Sequence, residues 1–193
     1  MGRLVGLRDV TIAKVLENTD TTYTTDEPVK LFKAVSGKVT VKRTSETIRS
    51  DDDIEEVLSD LDAIEVEFVG NKLTMQRIAD IYGCRLVKGM LIDNKDDQPV
   101  EVALGYRAKE TNGKYRFYWL YCGKFDGDDE EDYESKGEKP NPKTKTTKGT
   151  FYARKKDGNF RVRVHESELL EDETEAKQAI DSWFSEVQEP LSK

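Results

Sequence analysis

The residues able to do chemistry are few and scattered. His165 is the one histidine, at the end of "FRVRVHESE"; Cys84 and Cys122 are the two cysteines; carboxylates crowd "SDDDIEEVLSD" and "DGDDEEDYESKGE". Nucleophilic catalysis needs a Ser, Cys or Thr beside a positioned base, and His165 has no such partner at a suggestive spacing. At a strand end it reads as a surface residue. A calcium loop needs glycine at its sixth position and glutamate at its twelfth, whereas the sixth residue counted from Asp126 is Glu131. The cysteines match no metal-ligand spacing and read as free thiols in a reducing compartment. Cys122, mid-strand among aromatics, reads as a small buried hydrophobe. Gly2 and Gly6 are too sparse for a phosphate-cradling loop. An enzyme reading fails for lack of a constellation, and neither a cofactor nor a metal is expected.

Composition narrows the rest. The 193 residues carry a formal net charge of -8, with 36% apolar and 36% charged residues. That length suits one domain, 1–193, with a real core. The acidity argues against a protein whose task is to grip nucleic acid, because phosphate binding needs a basic face. "MGRLVGLRDV" has no signal-peptide pattern, and Gly6 stands where a myristoylation motif requires Ser or Thr. No apolar run reaches membrane-spanning length, so no membrane partner is expected.

Short antiparallel strands must position whatever function exists. "DVTIAKV" (9–15), "KVTVKRT" (38–44) and "AIEVEFV" (63–69) alternate apolar and polar residues, as half-buried strands do. Between the last two lies 45–60, "SETIRSDDDIEEVLSD", too polar for a core strand and too long for a tight turn. It is read as a long acidic inter-strand loop. "LTMQRIADIYGC" predicts a helix with Thr74 as N-cap, Ile78, Ala79 and Tyr82 on one stripe and Gly83 as its stop. A hairpin joins 100–109 to 115–125 through Asn112-Gly113. A charged loop, 126–148, follows. "KGTFYARKKDGNFRVRV" predicts a further hairpin turning at Asp157-Gly158. Last comes a C-terminal helix, 173–188, with Ala176, Ile180, Trp183, Phe184 and Val187 on one side. The fold class is mainly β, antiparallel, as a sandwich or barrel with two helices.

The hairpin around "NGKYRFYWLYCGKF" wants cover on both faces. A two-residue loop at Asn112-Gly113 sets Tyr106 opposite Trp119, Leu104 opposite Tyr121 and Ala108 opposite Phe117. The other face then joins Arg107 to Tyr118, Gly105 to Leu120 and Ala103 to Cys122. We expect Tyr115, Phe117, Trp119 and Tyr121 in the chain's own core. The flatter face of Gly105, Tyr118 and Leu120 is expected at a subunit interface, since a large apolar patch generally marks an interaction site. The C-terminal helix, through Ile180, Trp183 and Phe184, is the internal alternative, and composition leaves both covers open.

"MGRLVGLRDVTIAKV", "SETIRSDDDIEEV…AIEVEF", "VALGYRAKETNGKYRFYWLYCGKF" and "KGTFYARKKDGNFRVRV" occur in this order and at these separations. The ordered set resembles the major tail proteins, the tail-tube subunits, of long-tailed non-contractile phages (siphophages) of Gram-positive bacteria, from Met1 to about Trp183. The resemblance implies a two-sheet β-sandwich with a flanking helix and no catalysis. It implies rings of six subunits stacked into a hollow tube around a tape-measure protein. A tail terminator and baseplate or distal tail proteins would join the tube's ends. DNA would pass through without sequence-specific binding, in a virion tail assembled in the bacterial host cytoplasm. On that picture Asp51, Asp52, Asp53, Glu55 and Glu56 belong to a loop bridging adjacent rings. Lys38, Lys42, Glu65 and Glu67 are expected to face the lumen, with acid dominating once the ring closes and repelling DNA phosphates. The alternatives are a ligand-binding β-barrel with Tyr106, Trp119 and Tyr121 lining its cavity, or another phage structural protein.

Overall fold

Alternation of apolar and polar side chains carries most of the chain into antiparallel strands. The computed structural model describes residues 2–50, 53–127 and 144–191. In chain order these contain β1 (Leu4–Asn18), β2 (Tyr23–Thr25), β3 (Val29–Lys30), β4 (Ala34–Ser50), β5 (Asp53–Gly70) and α1 (Met75–Tyr82). There follow β6 (Arg85–Val87), β7 (Met90–Ile92), β8 (Val102–Glu110), β9 (Tyr115–Phe125), β10 (Lys145–Tyr152), β11 (Arg161–His165) and α2 (Thr174–Asp181). The main sheet runs β2-β1-β8-β9-β10-β5-β4, with β3 added on β1 and β11 on β9. β6 and β7 make a small separate hairpin.

β9 belongs to both halves of this sheet. One edge pairs with β8; along the other, residues 116–120 pair with β11 and residues 122–125 with β10. The hairpin expected around Asp157-Gly158 is therefore a corner instead. Arg154 N donates to Asn159 O (3.0 Å) and Gly158 N to Arg154 O (3.1 Å), but the flanking strands lie end to end along β9. An Asp-Gly pair signals a turn; it does not dictate what the strands beside it pair with. Past this corner the sheet folds over itself. Val10 and Ile12 of β1, Leu104 of β8 and Leu120 of β9 meet Ile64, Val66 and Phe68 of β5 and Phe151 of β10 in one core. The result is mainly β and antiparallel, with two halves facing across a core as in a β-sandwich.

α1 closes one side of that core. Thr74 Oγ1 accepts from Arg77 N (3.3 Å) and the helix ends at Gly83, as the sequence predicts. Ile81, outside the predicted stripe, is fully buried. Asp80 is buried too, because Lys14 (3.0 Å), Arg77 (2.6 Å) and Gln76 (3.1 Å) surround its carboxylate. Burial alone would raise its pKa; those partners outweigh burial and lower it.

The register of β8 with β9 is one residue away from the expected one. Lys109 pairs with Tyr115, Tyr106 with Tyr118, Gly105 with Trp119 and Leu104 with Leu120. The turn is the cause. A two-residue type I′ loop needs positive φ at both central residues, and of Asn112 and Gly113 only Gly113 has it, at 87°. Glu110 N donates to Lys114 O (2.8 Å), which closes a three-residue loop with Gly113 as its left-handed bulge residue. A one-residue slip changes which side chains share a face. Gly105 now lies under Trp119, where a Cβ would sit 2.8 Å from the indole ring. Replacing Gly105 with alanine should cost about 1–3 kcal/mol by overpacking, seen as a lower urea midpoint at unchanged m-value.

Three expected boundaries also change. Within segment 45–60, residues 45–50 and 53–60 are strand, since β4 runs to Ser50 and β5 starts at Asp53, with Ser45 paired to Ser59, Thr47 to Val57 and Arg49 to Ile54. β10 accompanies β5 only from Gly70 to Ile64. Beyond that point β4 and β5 continue as a two-stranded ribbon, about 25 Å long at roughly 3.3 Å per residue. Asp51 and Asp52 lie outside the described residues, as do residues 128–143 of the charged loop. That loop ends earlier than 148, because β10 begins at Lys145. The C-terminal helix stops at Asp181 rather than 188, and Trp183, Phe184 and Val187 follow it in turns and irregular chain. Packing of those side chains on the sheet overrides the helical period.

Candidate assembly surfaces

The period of two that buries Ile64, Val66 and Phe68 turns Glu65 and Glu67 outward. Lys38 lies opposite Glu67 and Thr40 opposite Glu65 on β4; Lys148 lies opposite Glu67 and Thr150 opposite Glu65 on β10. Lys124 of β9 faces Thr150, and Asp126 N donates to Lys148 O (2.8 Å). Lys42 forms an ion pair with Glu65. Part of this face is a shallow depression of about 280 Å³ lined by Lys38, Thr40, Glu65, Glu67, Asp126 and Lys148. All four residues expected in the lumen, Lys38, Lys42, Glu65 and Glu67, thus share one exposed face. Within one chain, acid does not outnumber base on this face. Lys38, Lys42, Lys124 and Lys148 outnumber Glu65, Glu67 and Asp126, and opposite signs alternate across neighbouring strands. Lys148 was legible in the alternation of "TTKGTFY"; its meeting with Glu67 depends on a strand pairing that spacing alone does not reveal.

The ribbon is the second surface. Asp53, Glu55 and Glu56 lie on its β5 strand near the tip. Arg43, Thr44, Ser45, Thr47, Ser59 and Asp60 are exposed, and Leu58 is 43% exposed. β4 ends the strand order, so its outer edge has no strand partner among the described residues.

Of the residues expected at a subunit interface, Gly105 and Leu120 are covered by the chain itself and Tyr118 is half-buried. Leu120 is 0% exposed in the main core, Gly105 is buried beneath Trp119, and Tyr118 stacks on Tyr106 with ring centroids 4.8 Å apart. The slipped register and the folded-over sheet place Leu120 against β5 rather than against solvent. The other face of β9 lies in the chain's own core, as expected: Phe117 and Trp119 pack with Ala13, Ala103 and Trp183, flanked by Tyr115, Ile180, Phe184 and Val187. Tyr121 packs with Tyr23. β9 therefore finds both covers within one chain, and Tyr106 is separated from Trp119 and Tyr121 by the sheet rather than joined with them around a cavity.

A cluster that sequence reading missed centres on Arg154, whose side chain is 1% exposed. Its guanidinium lies 4.1 Å from the Tyr121 ring centre and 4.9 Å from that of Tyr23. It donates to Asp157 (2.8 and 2.6 Å) and to Glu189 (2.6 and 2.7 Å). Burial disfavours the charge, but Asp157 and Glu189 more than offset it and hold the guanidinium protonated. Arg154 in turn holds the Asp157 carboxyl well below the usual carboxylate range. Nothing in "ARKKDG" separates this arginine from an ordinary solvated turn.

The remaining reactive groups are sequestered. Burial, then Asp93 and Asp97, push the Cys84 thiol up to about 11, and burial with Glu101 pushes Cys122 higher still. Both stay protonated at neutral pH, so neither is an activated nucleophile. His165 is less of a surface residue than its position suggests. Its side chain is 17% exposed, with Nδ1 3.2 Å from Glu168. Among the described residues no cluster of His, Cys, Asp and Glu could hold a metal, and no helix is long and apolar enough to cross a membrane. No family model matches the chain, and no curated protein matches it either.

Proposed function

We propose that the chain is a structural subunit of a tail tube, of the type found in long-tailed non-contractile phages. Copies form six-membered rings that stack into a conduit around a tape-measure protein, without catalysis. A terminator and distal tail proteins complete the tube in the virion tail, after assembly in the host cytoplasm. The observation that carries this reading, beside the sequence resemblance, is the β4–β5 ribbon. A two-stranded ribbon is marginal alone in water, and a long open edge invites uncontrolled pairing. A neighbouring copy in a stack answers both problems by taking up the ribbon. The chequered face of β4, β5 and β10 suits a lumen wall, because lysines interrupted by Glu65, Glu67 and Asp126 give phosphates no continuous basic track to follow.

Negative-stain microscopy of concentrated protein tests the reading, with long tubes as the expected outcome. Deleting Asp51–Glu56 should leave circular dichroism and thermal melting of the body unchanged while abolishing long tubes. A protein that stays monodisperse at high concentration overturns the tube reading. Normal tube yield from the deletion removes the ribbon from the contact.

A further inference from the structure

The strand ladders of the body are complete without residues 182–189. β9 has β8 along one edge and β11 with β10 along the other. Among the described residues, the backbone-to-backbone bonds of the C-terminal segment stay local: Trp183 N to Ile180 O (3.3 Å) and Ser185 N to Ser182 O (2.9 Å). Side chains make the attachment. Trp119 Nε1 donates to Trp183 O (2.9 Å), Tyr121 OH to Gln188 O (3.0 Å) and Trp183 Nε1 to Tyr118 O (3.5 Å). Arg154 grips Glu189 with two hydrogen bonds, and Lys156 lies 3.8 Å from the same carboxylate. Upstream, α2 buries no residue and Glu173 supplies no side-chain cap, so the helix anchors the segment weakly.

We propose that Ser182–Glu189 is a latched strap, which opens and closes over β9 as a unit while the sheet stays folded, with the Arg154–Glu189 pair as its latch. Locally cooperative units of this kind open below the global unfolding free energy when few bonds tie them to the rest. Opening breaks the side-chain bonds named above and uncovers Phe117, Trp119 and Tyr121. It leaves the main core intact, because that core lies on the opposite face of β9. The latch can release without stranding a buried cation, since Arg154 keeps Asp157 when Glu189 departs. The device needs no neighbouring copy, so it stands apart from the tube reading.

The test uses the full chain. Its two tryptophans, Trp119 and Trp183, both sit under or in the strap, so tryptophan emission reports closure while far-UV circular dichroism reports the sheet. In a urea titration, emission should change before circular dichroism. Glu189→Gln removes the charge of a two-pronged bond and should weaken closure by about tenfold. It should move the emission transition to lower urea and leave the circular dichroism transition in place. Coincident transitions in the unmodified chain overturn the proposal. So does a Glu189→Gln protein in which both transitions move together, or in which neither moves.

Discussion

Leu120→Glu is expected to unfold the protein. Leu120 is 0% exposed and belongs to the core that also holds Leu104, Ile64 and Phe151. An ionised carboxylate there would lie opposite Arg161 of β11, but it would displace packed apolar side chains and give up its hydration, and the effective penalty for burying a charge is several kcal/mol. Taking up a proton only exchanges that penalty for an unsatisfied buried hydroxyl and carbonyl. The lost leucine burial adds about 2 kcal/mol more. A domain of this size is stable by roughly 5–15 kcal/mol in total, so the sum consumes most of that. The variant should lack a cooperative melt and the β-type circular dichroism. Leu120→Ala, costing about 2–5 kcal/mol, should remain folded with a lowered midpoint. A Leu120→Glu protein that melts normally and fails only in assembly would return Leu120 to a subunit interface.

That expected severity differs from what the sequence suggests, and the difference comes down to a single residue of register. Asn112-Gly113 marks the hairpin correctly, yet the same dipeptide serves a two-residue loop and a three-residue loop. Only the backbone angle at Asn112 distinguishes them, and composition carries no trace of it. With the wrong loop, Gly105 falls beside Leu120 and the face looks flat and unfilled. With the observed one, Gly105 makes room for Trp119 and Leu120 sits in a packed layer. The strands themselves were legible wherever one face is wet and the other dry, as in "AIEVEFV". The ribbon was not, because "SETIRSDDDIEEVLSD" shows no clean apolar-polar alternation and reads as loop. Nor was the end-to-end placement of β10 and β11, since both pair with β9 rather than with each other.

The candidate surfaces follow the same division. Lys38, Lys42, Glu65 and Glu67 were readable as one polar face from two local alternations. Lys124, Lys148 and Asp126 join them through pairings that no local pattern encodes, and they change the charge balance of that face. Arg154 is the extreme case. Its role rests on Glu189, distant in sequence, and on two tyrosine rings brought in by β2 and β9.

Trp119 stands one residue from Leu120, on the other face of β9, and Trp119→Ala is expected to act on a different part of the molecule. The indole is 0% exposed, lies against Phe184 and gives its N–H to Trp183 O. Its loss should cost about 3–5 kcal/mol. Gly105 beneath it carries no side chain that could refill the space, and Trp183 O loses its donor. Because the ring lies on the strap side, this loss falls first on closure of residues 182–189. Once the strap is open, any further penalty no longer reaches the sheet. Trp183, the remaining tryptophan, should show red-shifted, easily quenched emission in native buffer, while β-type circular dichroism persists. Gly105→Ala should also become cheaper in this background than alone, since the ring it clashes with is gone. If instead Trp119→Ala erases the sheet signal as completely as Leu120→Glu, the two faces melt as one unit. The aromatic strand then requires both covers at once, and the strap is part of the core rather than a lid upon it.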